Sequence, residues 1–420
     1  MTSKKFYLII ITCLSVSYVS KGQELVDDSL RKMLDINPQN FYKQLNQLRD
    51  LGTIYVNSKS LKDSYIQTLG MLNSACGNYQ ETYEIWSQRE LNNEQPVDSV
   101  AFDKYRPVSA KKIIDSIAKT NQIVIFNEGH HIPQNRASTM QYLQIFYDNG
   151  FRYIAMESVK SRDSLLNQRK YVEIAKTGTY LFEPCYADLV RQALKIGFTI
   201  VPYEYEPRAK TMVEREEGQA ENIMKRLLTD KPKAKLLMHV GYSHGLKFEP
   251  DPKINLAMMG YFLKKKSGTE PYVIEQFKQT EKANRKDESK DYVYATKKYQ
   301  LTEPCFFVNS EGKIWTKDFS VGDAELFLPR SIYKNQRPDW LAWGGKKQAF
   351  LPNLKEIKAT PPLLIQAFLA EEFPSGVAVD QVEVTDKKSR KTLLLYPAKY
   401  VLRVLDRNGE VVLVKKIVVK

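Results

Sequence analysis

The chain holds four histidines, His130, His131, His239 and His244, and all fall in two short segments at or just after the C-terminal ends of predicted strands. An imidazole takes up and returns a proton near neutral pH, so such a grouping points to acid–base chemistry. Acids follow the same pattern: Glu128, Glu157, Glu204 and Glu275 each end a run read as a strand. In an open parallel sheet, loops gather and ligands bind at that edge. Four acids and a histidine cluster on one rim argue for function over core packing. His131, Glu128, Glu157 and His244 are the catalytic candidates, and Arg136, Glu204, Arg215 and His130 the substrate-side ones. His130 and His239 also read as packed, hydrogen-bonded histidines, and Arg215 equally as a surface helix residue.

Three motif readings compete at these positions. Asn127-Glu128-Gly129-His130-His131 approaches HExxH, with Asn where the first His belongs. That motif needs a helix to bring two histidines onto one face. Here it follows a strand, contains Gly129 and runs into Pro133, so it is no zincin. Gly241-Tyr242-Ser243-His244-Gly245 spells GxSxG after a strand. The nucleophile elbow requires a helix next and a triad histidine downstream. No histidine follows His244, and Pro250 and Pro252 interrupt the segment, so Ser243 could act only with an upstream histidine. Finally, His131, His244 and Glu157 would make a two-His-one-carboxylate metal set, which the residues neither demand nor forbid.

The elements that must position these groups read as an α/β fold. Predicted strands Ile123–Phe126, Tyr153–Met156, Thr199–Tyr203, Lys235–Val240, Tyr272–Ile274 and Glu325–Leu328 alternate, in the earlier part, with helical stretches Ala137–Tyr147, Tyr186–Lys195 and Val213–Leu228. Such alternation implies crossover connections and a mainly parallel sheet flanked by helices, over 99–352. Before it, 23–98 reads as a helical N-terminal arm. There Leu61, Tyr65, Leu69 and Leu72 share one face and Gly77-Asn78 breaks the run, as in a single tetratricopeptide-type hairpin or an arm packed on the next domain. Phe306–Asn309 and Lys313–Thr316 suggest a hairpin, and the charged stretch 278–300 an exposed loop. From 353 to 420 the pattern is that of a small β-sandwich, with strands Gln381–Val384, Thr392–Leu395, Tyr400–Leu405 and Glu410–Val414. Asn408-Gly409 supplies the hairpin between the last two. This C-terminal region loosely resembles the sorting domains of some exported Bacteroidetes proteins, through Pro397-Ala398-Lys399-Tyr400 and the ending Lys415-Lys416-Ile417-Val418.

Composition narrows the partners. With 420 residues, 43% of them hydrophobic, the chain can fill a real core across roughly two or three domains. The net charge of +14 is mostly terminal: 387–420 alone carries ten basic residues against two acids. Without a basic stripe interleaved with aromatics, nucleic-acid binding is not indicated. Lys4 and Lys5, the apolar run Phe6–Val19 and the small residues near Gly22 read as an export signal over 1–22. That places the mature protein in the periplasm or outside the cell. Thr12 before Cys13 argues against lipid attachment, and no later apolar run is long enough for an integral span. Cys76, Cys185 and Cys305 are too few and too badly spaced for a zinc site. A Cys185–Cys305 disulfide and two buried thiols both remain open.

Together these segments resemble the erythromycin esterase family and its ChaN-like haem-binding relatives. The resemblance rests on Glu128-x-x-His131, Arg136 and Gly150-Phe151-x-x-Ile154-Ala155-x-Glu157, then on Arg215-x-x-x-Gln219-Ala220-Glu221-Asn222 and Lys235 to His244. Order and spacing agree across roughly 120–250. Asn127 and Gln219 depart from the family's usual Gly and Met, and Ile132-Pro133 is closer to the haem binders. Fold and site location therefore carry over, but the substrate does not. The resemblance implies an exported hydrolase of an ester or lactone acting on a small molecule without a cofactor. In that reading His131 takes a proton from water, Glu128 orients its ring, Glu157 holds the water, and His244 with Arg136 stabilises charge on oxygen. The alternatives are a divalent-metal hydrolase using the same site, or a haem or small-ligand carrier in which Tyr203 or Tyr205 faces a porphyrin.

Overall fold

The structure is a computed structural model that describes residues 28–420 apart from 90–93, 95, 175, 208, 251–255, 318–320 and 344–346. The predicted export signal, Cys13 and Pro252 lie outside the described residues. At the centre stands a parallel six-stranded sheet: β1 (Ile123–Glu128), β2 (Tyr153–Met156), β3 (Thr199–Val201), β4 (Leu236–Gly241), β5 (Tyr272–Glu275) and β6 (Ala324–Glu325), in the spatial order β3-β2-β4-β1-β5-β6. Every residue of β1 and β4 is buried, as continuous apolar runs in a sheet covered on both faces require.

Alternation along β1 sends its side chains to two cores. Val124 and Phe126 pack with Leu143, Phe146, Tyr186 and Val190 from the segments that follow β1 and β2. Ile123 and Ile125 face Ala220, Ile223, Met259 and Leu263 from the segments that follow β3 and β4. The chain thus leaves β1 over one face and β4, its neighbour, over the other, which opens a crevice between their carboxyl ends. Register completes the placement: Glu128 is level with Gly241, and Met156 with His239. The α/β class predicted from the strand and helix alternation is the observed one.

Local signals place the helices that border the crevice. Pro133 starts the helix Pro133–Met140, and the helix Pro184–Ile196 opens with Pro184 under a Glu183 cap whose carboxylate accepts from the Cys185 and Tyr186 amides. Thr211 caps Met212–Ile223 by accepting from the Glu214 amide, which sets Arg215 in the first turn.

Several expectations need correction. The predicted helix Ala137–Tyr147 is two helices, Pro133–Met140 and Leu143–Asp148. The 278–300 stretch is not simply an exposed loop: Lys290–Tyr299 is helical and buries Asp291, Tyr292 and Ala295. Tyr292 and Ala295 join Phe102, Phe307 and Phe327 in a core, with Tyr299 packed against it, so an i, i+3, i+7 stripe hidden among lysines decided the outcome. The strand Cys305–Asn309 meets its expected hairpin partner only at the Val308–Ile314 bridge, and pairs instead along Tyr105–Ser109. Cys185 and Cys305 are buried free thiols, not a disulfide.

The C-terminal region forms a four-stranded antiparallel sheet whose second strand, Leu363–Leu369, is an apolar run absent from the predicted strands. It shares a core with a two-stranded sheet of Gln348–Phe350 and Leu393–Leu395. Gly409 takes the positive φ that its tight turn demands. The N-terminal helices Phe41–Asp50, Lys62–Ala75 and Tyr79–Trp86 pack in one cluster that takes in Phe182 of the α/β region and Leu364 and Leu405 of the C-terminal sheet. Among the described residues, no helix is long and apolar enough to cross a membrane.

Candidate active site

Glu128, the last residue of β1, is saturated. Its carboxylate accepts from Arg136 Nε (2.8 Å) and Nη2 (2.6 Å), and also meets His130 Nδ1 (2.9 Å) and His239 Nε2 (2.7 Å). Burial works against its charge, but Arg136 and His239 outweigh that and hold the carboxyl well below its ordinary range. Arg136 also donates to Glu183 (2.8 Å) and lies over the Tyr186 ring. It is fully buried between these partners, so the guanidinium that the sequence assigns to a reacting oxygen is committed to holding Glu128.

Glu157, just past β2, is held less tightly. Its Oε2 accepts from the Gly241 amide (2.6 Å) and lies 3.7 Å from His130 Nε2. Its Oε1 lies 3.4 Å from His244 Nε2 and 3.7 Å from Arg215 Nη2. A Cβ on Gly241 would run into the His130 ring and the Glu157 carboxylate, so only glycine lets the strand pass this close. This close approach, not a nucleophile elbow, accounts for the first glycine of Gly241-x-Ser243-x-Gly245. Residues 242–245 form a turn.

Beyond Glu157 the network continues outward. Glu204 accepts from Arg215 Nε (3.1 Å) and Gln219 Nε2 (2.9 Å). His244 Nδ1 bonds Glu216 (2.8 Å), a buried acid that the strand-end pattern misses because it projects from a helix, one residue past Arg215. Burial disfavours charge on His244, yet Glu157 and Glu216 prevail and its pKa is pushed up to about 10. Burial disfavours charge on Glu157 too, but His244, His130 and Arg215 pull its pKa well below the ordinary value. Side-chain exposure rises from 1% at Glu128 through 4% at Glu157 and 12% at His130 to 32% at Arg215, so the cluster opens to solvent on the Arg215 side.

His131 lies elsewhere. Its ring stacks on Trp86 of the N-terminal arm, with centroids 3.9 Å apart and planes 6° from parallel, and its Nδ1 bonds the Tyr242 hydroxyl (3.0 Å). Burial, reinforced by Lys282 and His130, lowers its pKa well below that of an ordinary histidine. Glu128 therefore orients His130, not His131: the residue after Gly129 turns into the acid cluster and the next one turns away. Nothing in the sequence around position 131 announces Trp86, some forty-five positions upstream. Tyr242 adopts φ 44° and sets its ring edge-on to His130 at 4.9 Å, linking the two histidines.

The remaining candidates separate from the cluster. Glu275 accepts from the Phe277 and Lys278 amides beside Glu325, and burial pushes its pKa up to about 7. With His131 under Trp86, the proposed His131–His244–Glu157 metal set does not assemble. Among the described residues no three His, Cys, Asp or Glu side chains converge as a metal site. Tyr203 is buried against Ala220 and Ile223, and Tyr205 gives its hydroxyl to Glu214 (2.9 Å).

No protein-family model and no curated protein matches the chain. Among solved structures, the chain is similar to the type III effector HopBA1, with a TM-score of 0.27 and 13% identity over 41% of this chain and 86% of that one. A structure named "Bacterial protein toxins" gives a TM-score of 0.32 and 10% identity over 57% of each chain. At these scores neither likeness carries an argument about fold or function.

Proposed function

We propose that the protein is an exported hydrolase of an ester or lactone in which His130 activates water. The observation that carries this reading is the Glu128–His130 pair beside Glu157. Glu128 accepts from Nδ1, which fixes the tautomer and leaves the Nε2 lone pair 3.7 Å from the Glu157 carboxylate, far enough for a water to reach both. A water seated beside Nε2 and Glu157 loses its proton to His130 as its oxygen adds to the substrate carbonyl carbon. The tetrahedral oxyanion then meets His244 as imidazolium and Arg215, each such donor contributing about 3–4 kcal/mol of transition-state stabilisation. Collapse breaks the carbon–oxygen bond of the leaving alkoxide, which takes back the proton held on His130. Glu204 and Glu216 keep Arg215 and His244 aimed at that point.

The test is a panel of chromogenic esters and lactones offered to the purified chain, followed by H130A and H131A on whatever is turned over. His130→Ala is expected to cut kcat/KM by about 10²–10⁴-fold, the usual worth of a general base, with far-UV circular dichroism unchanged. An H130A rate equal to that of the unaltered chain, or no turnover of any ester or lactone, overturns the reading.

A further inference from the structure

Away from the rim, a cavity of about 360 Å³ lies where the N-terminal arm, the Tyr333–Pro338 hairpin and the 385–391 turn of the C-terminal region meet. Its volume falls in the lower part of the roughly 300–1,000 Å³ usual for small-ligand sites. Lys388, Arg390 and Lys391 line it, together with the acids Glu81 and Asp386. Those acids do not neutralise the cations: among the described residues, none of the three has a carboxylate within 4 Å, whereas most buried cations of this molecule have one. Asp386 is turned into its own loop, where it accepts from the Lys388 amide (2.9 Å). The half-buried ammonium of Lys391 donates to Asn78 Oδ1, at 3.2 Å. The start of the Tyr79–Trp86 helix forms part of the wall, and the Asn78 side chain does not cap it, being used instead on Glu383.

We infer that this cavity binds a small polar molecule through an oxyanion group, a phosphate, sulfate or carboxylate, held by Lys391 and Arg390 with Lys388 at the mouth. A charge taken out of water needs a close partner, and an anion here supplies the contact that Glu81 and Glu383 do not make with Lys391. The first-turn amides of Tyr79–Trp86 add donors of the kind that favour an anion at a helix start, and charge-assisted bonds from a guanidinium and an ammonium fix its orientation. Burial lowers the pKa of Lys391, and Glu81 and Glu383, which favour its charge against Arg337 and Arg49, only partly offset that. The site joins three regions of the chain, so its occupation tightens their association. It does not depend on the histidine chemistry.

Isothermal titration calorimetry and thermal unfolding of the full chain test this directly. The probes are inorganic phosphate and D-glucuronate, with methyl glucoside as an uncharged control, all against sodium chloride of matched ionic strength. We expect saturable binding of at least one oxyanion, a rise in Tm with its concentration, and none with methyl glucoside. Which of the two anions binds distinguishes a tetrahedral from a planar group. Lys391→Met is expected to raise the ligand-free Tm, because it removes an ammonium whose burial is only partly offset, and to abolish the anion-dependent rise. Arg390→Gln, on an exposed turn, is expected to weaken binding at least tenfold while leaving the ligand-free Tm unchanged. Absence of saturable binding by either anion, equal binding of methyl glucoside, or undiminished binding in both variants overturns the inference.

Discussion

Two of the places where the molecule buries charge are built differently. Where the C-terminal sheet meets the helix Pro184–Ile196, Arg191 gives two bonds of 2.7 Å to Glu372, one of 3.2 Å to Asp188 and one of 3.1 Å to the Val377 carbonyl. Asp188 in turn accepts from Tyr396 and Lys347, each at 2.8 Å. This network is closed. At the sheet rim Glu128 is closed in the same way, but Glu157 next to it faces two imidazoles and a guanidinium across 3.4–3.7 Å. Those gaps are too long for good hydrogen bonds. A closed network resists perturbation because each lone pair is satisfied; an open one retains donors and acceptors for a substrate. Glu128 and Glu157 differ in what surrounds them, not in residue type.

The largest expected effects are the ones that cross. Glu372→Ala leaves Arg191 buried with half its partners, which should cost about 3–5 kcal/mol of stability in chemical denaturation. Activity per folded molecule should hold. His130→Ala should do the opposite, removing turnover with little change in the unfolding midpoint. Equal loss of both properties in both variants would erase the distinction between the two networks. Glu128→Gln is intermediate: it weakens the bonds to Arg136, His130 and His239 together, so we expect a loss of about 1–3 kcal/mol with a fall in kcat. If kcat holds while stability falls, Glu128 belongs wholly to the closed class.

That division was only partly legible in the amino-acid sequence. Strand ends could be read because the apolar runs of β1 and β2 stop at polar residues, Asn127-Glu128 and Glu157, and the segments after β3 and β4 were read the same way to Glu204 and His244. The choice between His130 and His131 could not be read, since adjacent residues in a turn point in directions set by the turn geometry. Glu216 was hidden because helix acids are common and only tertiary packing turns this one inward. Trp86 and the helix Lys290–Tyr299 escaped for a related reason: their contacts lie far away in the chain.

A pH titration sharpens the comparison further. The pKa of His244 in the folded protein is pushed up to about 10, above the roughly 6.5 of an unfolded chain. Its charged contacts with Glu157 and Glu216 therefore stabilise the fold fully below about pH 6.5, and that contribution fades as pH climbs through 10. Urea midpoints measured from pH 6 to 10 should fall with rising pH, and His244→Gln should flatten that slope. A variant slope identical to that of the unaltered protein would mean that His244 is neutral and that the oxyanion-stabilising role must rest on Arg215.

The smallest expected effect bears on the reassigned histidine. Trp86→Phe keeps an aromatic face on His131 but shrinks the stack, so we expect a loss below about 1.5 kcal/mol, in the range of a tolerated aromatic exchange. Turnover should stay within about threefold, because His131 lies in the closed part of the structure with its Nδ1 on Tyr242. A drop of tenfold or more, about 1.4 kcal/mol in the barrier, with an unchanged unfolding midpoint would put His131 back into the reaction. It would also imply that the arm bearing Trp86 swings aside during turnover, since the ring it covers is 3% exposed as it stands. Arg89 lies over the indole at 4.7 Å and binds Asp63, both within the arm. The arm's helices share a core with Phe182, Leu364 and Leu405, and that packing is why we expect the arm to stay in place and the reaction to run through His130.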